Sequence, residues 1–333
     1  MATELPGWPH DASPFHAGEQ AVQARVGVRE RLAQVGPRVM RGEMPDQHRE
    51  LFDKLPFLLV GALDAQRRPW ATVAFGQPGF AHTPDARTIA LSAQPVAAGL
   101  VPLQLQAGAA LGLLGLEPAT RRRNRANGFV AASGGHGFAL KVTQSFGNCP
   151  KYIQARALQW HAPSGEAPQC IGPHLPSQAA AVVRAADTFF IATASARAGL
   201  PGAAPSDGVD VSHRGGKPGF VQVEEGTHAT VLRAPDFIGN FFFNTLGNLQ
   251  VHPWAGLLFV DWQRGDLLLL SAWAEVQWDG PQVQAFAGAQ RLLRLEVREG
   301  WWLPGAMPWR ADHAELAPQL EATGDWNALR LSP

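Results

Sequence analysis

The clearest chemistry in the chain sits in the string Ser212-His213-Arg214-Gly215-Gly216-Lys217. Arg214 offers a planar guanidinium fork, Lys217 a point charge and Ser212 a hydroxyl. The glycines lack the Cβ atoms that keep a backbone away from a ligand, and His213 adds an imidazole within the same turn. Together these groups suit a phosphate-type dianion, which needs charge-assisted donors and close main-chain approach. The same string would also make a hairpin turn with solvated charges, and the residues alone leave both readings open. Downstream, Phe243-Asn-Thr-Leu-Gly-Asn248 offers Asn244, Thr245 and Asn248 as amide and hydroxyl partners at the end of an expected strand, Phe241 to Thr245. Asparagines that only cap turns would look the same.

Arg121-Arg-Arg-Asn-Arg125 is the densest basic run. Placed after a strand, its alternate side chains should face opposite ways. It could hold a second anion, salt-bridge to the other half of the chain, or simply be solvated. In Asn148-Cys-Pro-Lys-Tyr152, no histidine or acid lies near enough in sequence to activate Cys149, which is expected to be packed rather than catalytic. His16, His82, His213 and His252 show no metal-ligand spacing, so no metal site is expected.

Such groups need rigid elements to hold them. With 333 residues, 46% of them apolar, the chain is long enough for two ordinary domains. Lys+Arg and Asp+Glu balance at 28 each, so no broad field draws nucleic acid or an anionic membrane. Any bound anion must therefore be met by a local cluster. Two cysteines are too few for a disulfide framework. The most apolar stretch, Val96 to Leu116, is broken by Pro102, Gln104 and Gln106 and falls short of a membrane span. The opening Met-Ala-Thr-Glu-Leu-Pro has neither basic nor apolar leader character, which predicts a cytoplasmic protein. The tryptophans read mainly as core and interface packing.

The elements repeat. Residues 1–44 read as an arm with a helix from Glu19 to Leu32, and 45–160 as a first barrel opened by a helix from Pro45 to Lys54. A Gly/Pro-rich linker, 161–176, precedes a second barrel over 177–333, opened by a helix from Ser177 to Ala186. The first half then runs through strands Phe57–Leu63, Trp70–Phe75 and Thr88–Ser92. The second runs through Phe189–Thr193, Val209–His213, Phe220–Val223 and Phe241–Thr245. Ala110-Leu-Gly-Leu-Leu-Gly-Leu-Glu117 parallels Trp254-Ala-Gly-Leu-Leu-Phe-Val-Asp261. Few helices separate the strands, so the pattern predicts two six-stranded antiparallel barrels rather than βαβ units.

Several long strings resemble the pyridoxamine 5′-phosphate oxidase-related, FMN-binding split-barrel family. They are Gln144 to Ile153, Asp210 to Phe220, Asp236 to Asn248 and Thr120 to Gly128, with Phe15-His-Ala-Gly-Glu19 at the entry. The resemblance runs from Pro14 to about Pro308. It implies a mainly β fold with peripheral helices, built as two tandem split barrels that form a pseudo-dimer, with FMN at their junction. By the resemblance, Arg214 and Lys217 are the basic pair gripping the phosphate, with Ser212, His213 and Gly215 beside them. Asn244 and Thr245 touch phosphate and ring edge, and Asn148 and Tyr152 face the flavin from the other barrel. Asn248 stands where relatives closer to the oxidase carry a basic residue.

The implied activity is a flavin-dependent oxidoreductase, driven by NAD(P)H or a separate reductase and passing electrons to a small-molecule acceptor. It would act as a monomeric pseudo-dimer or a homodimer. This subgroup is often followed by a ferredoxin-reductase-type domain, and none is expected in cis here. Two alternatives stand beside it. Split barrels of this family also bind haem, F420 or nothing, so a non-catalytic flavin carrier or sensor fits the same strings. A true pyridoxamine 5′-phosphate oxidase fits less well, because Trp301-Trp-Leu-Pro-Gly-Ala-Met-Pro-Trp-Arg310 lacks the Arg-x-His pattern of that enzyme.

Overall fold

A computed structural model describes residues 7–326; the outermost parts of the expected arm and second barrel lie outside the described residues. In chain order the elements are α1 (Ala17–Arg25), α2 (Arg29–Val39), α3 (Asp46–Lys54), β1 (Phe57–Leu63), β2 (Pro69–Phe75), β3 (Ala81–Asp85), β4 (Thr88–Leu91), β5 (Ala110–Glu117), β6 (Arg122–Gly134), β7 (Gly137–Gly147), β8 (Gln159–Trp160) and β9 (Gln169–Ile171). The second half continues with α4 (Ser177–Ala185), β10 (Thr188–Ala194), β11 (Val209–Gly215), β12 (Gln222–Glu225), β13 (Thr230–Phe237), α5 (Asn244–Val251), β14 (Trp254–Val260), β15 (Leu267–Gln277), α6 (Pro281–Ala285), β16 (Ala289–Leu303) and β17 (Trp309–Arg310).

The protein is mainly β, and its two large sheets repeat one strand order. The first runs β2-β1-β5-β6-β7-β4-β3 and the second β11-β10-β14-β15-β16-β13-β12, all pairs antiparallel. Each path has seven strands rather than six. The additional members are short edge strands, and Pro84 within β3 hides it from a propensity reading. In the first sheet, strands from both ends of the path feed one core: Ala74 of β2, Ala81 of β3, Ile89 of β4 and Val60 of β1 share a cluster. A flat sheet could not bring its two edges to one core, so each sheet curls into a split barrel.

The segment 161–176 is more than a connector. Its strand β9 pairs with β16, and β8 just before it pairs with β17. The expected single helix over Glu19–Leu32 is two, parted at Gly27, whose φ of 73° is left-handed.

The apolar runs of β1 and β10 are buried on both faces because they serve two cores. Leu58, Val60 and Ala62 enter the first barrel's core, while Phe57 and Leu59 point the other way. Phe189 and Ile191 likewise enter the second barrel's core, while Phe190 and Ala192 join Phe57, Leu59, Trp70, Leu258 and Leu269 in a third core shared between the barrels. Glycines set how closely the two sheets approach there. A Cβ on Gly112 would lie 2.4 Å from the Val209 carbonyl oxygen, and one on Gly256 would lie 2.4 Å from Trp70 Cα. Gly112 and Gly256 hold equivalent places in β5 and β14, and Pro69 and Val209 equivalent places at the starts of β2 and β11. The contact is thus reciprocal, as a pseudo-twofold relation requires.

Candidate functional site

A cavity of about 110 Å³ lies at the junction of the barrels. The first barrel supplies Leu114 of β5, Arg123 and Arg125 of β6, and Asn148, Cys149, Lys151 and Tyr152 beyond β7. The second supplies Ser212, His213 and Arg214 of β11, Asp236 and Phe237 of β13, residues of the following loop, and Asn244, Thr245 and Leu246 at the start of α5.

Period-two geometry turns Arg123 and Arg125 to the same face of β6, into the cavity. Their neighbours leave it: Arg121 donates to the Ile153 carbonyl at 3.0 Å and pairs with Glu315 at 2.7 Å, and Arg122 reaches the Gln47 carbonyl. Arg125 is buried and held on several sides. Its Nη1 donates to Asp210 Oδ1 at 3.0 Å and Asn244 Oδ1 at 2.9 Å, its Nη2 donates to Ser212 Oγ, and its guanidinium lies 5.3 Å from the centre of the Phe146 ring. Arg123 differs. It makes no ion pair or side-chain hydrogen bond with any described residue, and desolvation together with the charges of Arg125 and Arg214 pushes its pKa down to about 9. Arg214 pairs with Asp236, which also meets Arg291 at 3.5 Å, and Arg214 Nε has no partner among the described residues.

The remaining donors have the same character. Asn148 Nδ2 and His213 Nε2 are buried with no partner among the described residues. Burial, then the charges of Arg123, Arg156 and Arg214, hold His213 well below the usual histidine range, so it is neutral near pH 7. The first turn of α5 adds main-chain N–H groups that no helix can satisfy internally, and the cap residue Phe243 supplies no side-chain acceptor. Around the cavity the formal charges are Arg123, Arg125, Lys151 and Arg214 against Asp236. A phosphate dianion fits that surplus of donors and charge.

Behind the cavity, a closed hydrogen-bonded ring ties both barrels to the N-terminal arm. Gly18 N donates to His16 Nδ1 at 3.1 Å, which leaves His16 Nε2 to donate to Asn248 Oδ1 at 2.9 Å. Asn248 Nδ2 donates to Asp210 Oδ2 at 2.9 Å, and Asp210 takes Arg125. Arg125 holds Asn244, Asn244 donates to Glu19 Oε1, and Glu19 Oε2 accepts from His16 N at 2.8 Å. Burial and the nearby Asp210 push the Glu19 carboxyl well above its ordinary range. The His16/Glu19 capping box of α1 is thereby coupled to the start of α5.

Of the ten residues singled out in the sequence, Arg214, Ser212, His213, Asn244, Thr245, Asn148 and Tyr152 line the cavity. Lys217 does not: its Nζ donates to the Thr323 carbonyl at 2.6 Å. Gly215 meets protein rather than ligand, since a Cβ there would lie 1.9 Å from the Tyr152 carbonyl oxygen. Asn248 is fully buried behind the cavity, in the ring. Asn244 and Thr245 open a helix instead of ending a strand, because Phe243 turns left-handed at φ 63° and starts α5. Cys149 is a free, partly buried lining residue. Lys151, Asp236 and Phe237 were missed, although Asp236-Phe237 opens one of the quoted strings. Arg123 and Arg125 belong to this site rather than to a second one; their i, i+2 spacing was the available signal. Among the described residues no group of three metal-ligating side chains comes together.

Among the described residues the site occurs once. Strand registers make Thr72, Val73 and Ala74 equivalent to Ser212, His213 and Arg214, and Leu267 and Leu269 equivalent to Arg123 and Arg125. None of Thr72, Val73, Ala74, Leu267 and Leu269 is charged, and the last four pack into hydrophobic cores.

No family model matches the chain, and no curated protein matches it. Among solved structures, HupZ of Group A Streptococcus aligns at 11% identity over 37% of this chain and 90% of its own, with a TM-score of 0.28. HutZ, described as the heme storage protein of Vibrio cholerae, aligns at 12% over 40% of this chain and 97% of its own, at 0.26. The Bacillus subtilis inhibitor of motility MotI/DgrA aligns at 8% over 73% and 87%, at 0.20. Scores this low bear on neither ligand nor activity, and the split-barrel description stands on strand order and shared cores.

Proposed function

We propose that this chain is an FMN-binding flavoprotein acting as a flavin-dependent oxidoreductase. The observation that carries the reading is Arg123, a cavity-lining guanidinium with no partner among the described residues, set beside Arg125, Arg214 and the first turn of α5. Placing such a charge without a counter-ion is costly unless a ligand supplies the anion. Arg123, Arg214, Asn148 and the α5 N–H groups would hold the phosphate, with Arg125 fixed behind them by Asp210. Tyr152 packs on Phe237 at 5.1 Å between ring centres, and these rings with Phe241 and Phe243 give the cavity an aromatic wall suited to a planar ring system. The cavity itself has room for the phosphate end, and its open mouth leaves the ring to the aromatic wall.

FMN, when bound, supplies the electron chemistry, while the protein binds, orients and excludes water. The donor would be NAD(P)H or a separate reductase and the acceptor a small molecule, in a cytoplasmic setting. A second reading, a non-catalytic flavin carrier or sensor, is favoured by the make-up of the cavity, whose side chains are phosphate donors and aromatic ring contacts of the kind that binding alone requires. A visible spectrum of the purified chain, followed by anaerobic NADH addition, separates the two. Yellow protein that NADH rapidly bleaches, by one two-electron reduction per flavin in the absence of an acceptor, supports the oxidoreductase, and yellow that persists supports the carrier. A colourless chain that takes up no FMN overturns both.

A further inference from the structure

Two exposed arginines of the N-terminal helices lie on aromatic rings, Arg31 on the cavity-lining Phe241 and Arg25 on Trp278 outside the cavity. Arg31 of α2 sits 5.2 Å from the centre of the Phe241 ring, and Phe241 meets Phe243 edge-on at 6.0 Å. Arg291 lies 5.3 Å from Phe243 and 5.0 Å from Trp278, and Arg25 of α1 covers Trp278 at 4.2 Å. Arginine and aromatic side chains thus form a continuous ladder that passes through Phe241 and Phe243, both cavity-lining residues. Both rings are held on backbone in the left-handed region, φ 65° and 63°, which non-glycine residues keep only when their surroundings over-determine it. Arg25 and Arg31 make no ion pair with a described residue; the acids nearby in sequence are Glu30 and Asp279, and Asp236 is occupied by Arg214 and Arg291.

We propose that this ladder binds a nucleoside diphosphate group, the part that a pyridine dinucleotide electron donor would present. Stacked guanidinium groups are pre-organised, so their outer edges can meet phosphate oxygens bidentately, while the rungs offer faces to a purine. The ladder leads into the cavity, so a donor gripped there by its diphosphate would have its other end at the flavin. That role rests on the flavin reading, whereas binding of the diphosphate does not. The neutral overall charge argues against a nucleic acid as the occupant.

The test is calorimetric titration of ADP into the full chain, with and without FMN, with FMN uptake read separately from absorbance so that failure of the flavin reading shows on its own. ADP should bind wild type, and the double variant Arg25→Ala/Arg31→Ala should weaken it about tenfold or more, as expected for losing charge-assisted contacts. FMN affinity should stay within about twofold, because neither residue lines the cavity. Arg38→Ala, an exposed arginine of α2 outside the ladder, should leave ADP binding unchanged. No ADP binding, no loss in the double variant, an equal loss in Arg38→Ala, or tighter binding of a short oligothymidylate than of ADP would each overturn the proposal.

Discussion

Arg123→Ala is expected to weaken FMN while leaving the ligand-free protein at least as stable as wild type. The two effects have opposite signs because Arg123 has no partner among the described residues to lose. A charge-assisted hydrogen bond contributes about 1.5–3 kcal/mol, so removing the guanidinium should raise the FMN dissociation constant roughly ten- to a hundredfold. Without ligand, the same change removes a charge that desolvation and the flanking Arg125 and Arg214 already disfavour. Arg214→Ala should also weaken FMN, but it strips Asp236 of one of its two arginines and should lower the melting temperature as well. Lys217→Ala should leave FMN affinity within about twofold, since Lys217 is engaged at Thr323. Fluorescence titration with FMN and riboflavin, paired with thermal melts of the ligand-free variants, measures all of this. Riboflavin lacks the phosphate and should be indifferent to Arg123→Ala. An unchanged FMN affinity, or equal losses for FMN and riboflavin, would refute the phosphate assignment.

Three further outcomes are open to measurement. FMN titration should saturate at one equivalent per chain, since Leu267, Leu269 and Ala74 stand where a second site would need arginines; two equivalents would contradict the registers. Gly112→Ala and Gly256→Ala should each cost about 1–3 kcal/mol in urea denaturation, because the new Cβ would meet main chain of the other barrel at 2.4 Å. His48, bonded to Ser145 Oγ at 2.9 Å, is pushed down to about 4 by burial and the charges of Arg41 and Arg122, from an ordinary 6.5. The unfolded chain therefore protonates first, stability present above pH 6.5 is lost as pH falls toward 4, and His48→Asn should flatten a melting curve followed across that window.

The duplicated architecture was legible because it is written locally: the Gly-Leu-Leu strings mark β5 and β14, and doubly buried runs mark β1 and β10. The start of α5 was not. Phe241 to Thr245 has strand propensity, and Phe243 carries no capping side chain, so only its left-handed backbone reveals the helix. β11 and the start of α5 were identified as one site, yet the partners of that site lie far away in sequence. Arg125 reaches Asp210 across 85 residues and Asn244 across 119, and His16 reaches Asn248 across 232. Pairings of that range follow from how the barrels close on each other, which no local pattern encodes. The placement of Lys217 was hidden for the same reason, since its partner Thr323 arrives from beyond β17.

The reciprocal packing at Gly112 and Gly256 has a consequence for how such a site can be specialised. In a homodimer with a true twofold axis, one residue type must serve at both copies of a position, so a strand that places arginines in one cavity places them in the other. Here a covalent chain replaces the second subunit. The position filled by Arg125 on one side can be Leu269 on the other, where it packs into the core shared by the barrels. Linkage also removes protomer concentration from the stability of that interface, because the second half is always present at the effective concentration its connection sets. Dilution should therefore leave the thermal midpoint of the two-barrel unit unchanged.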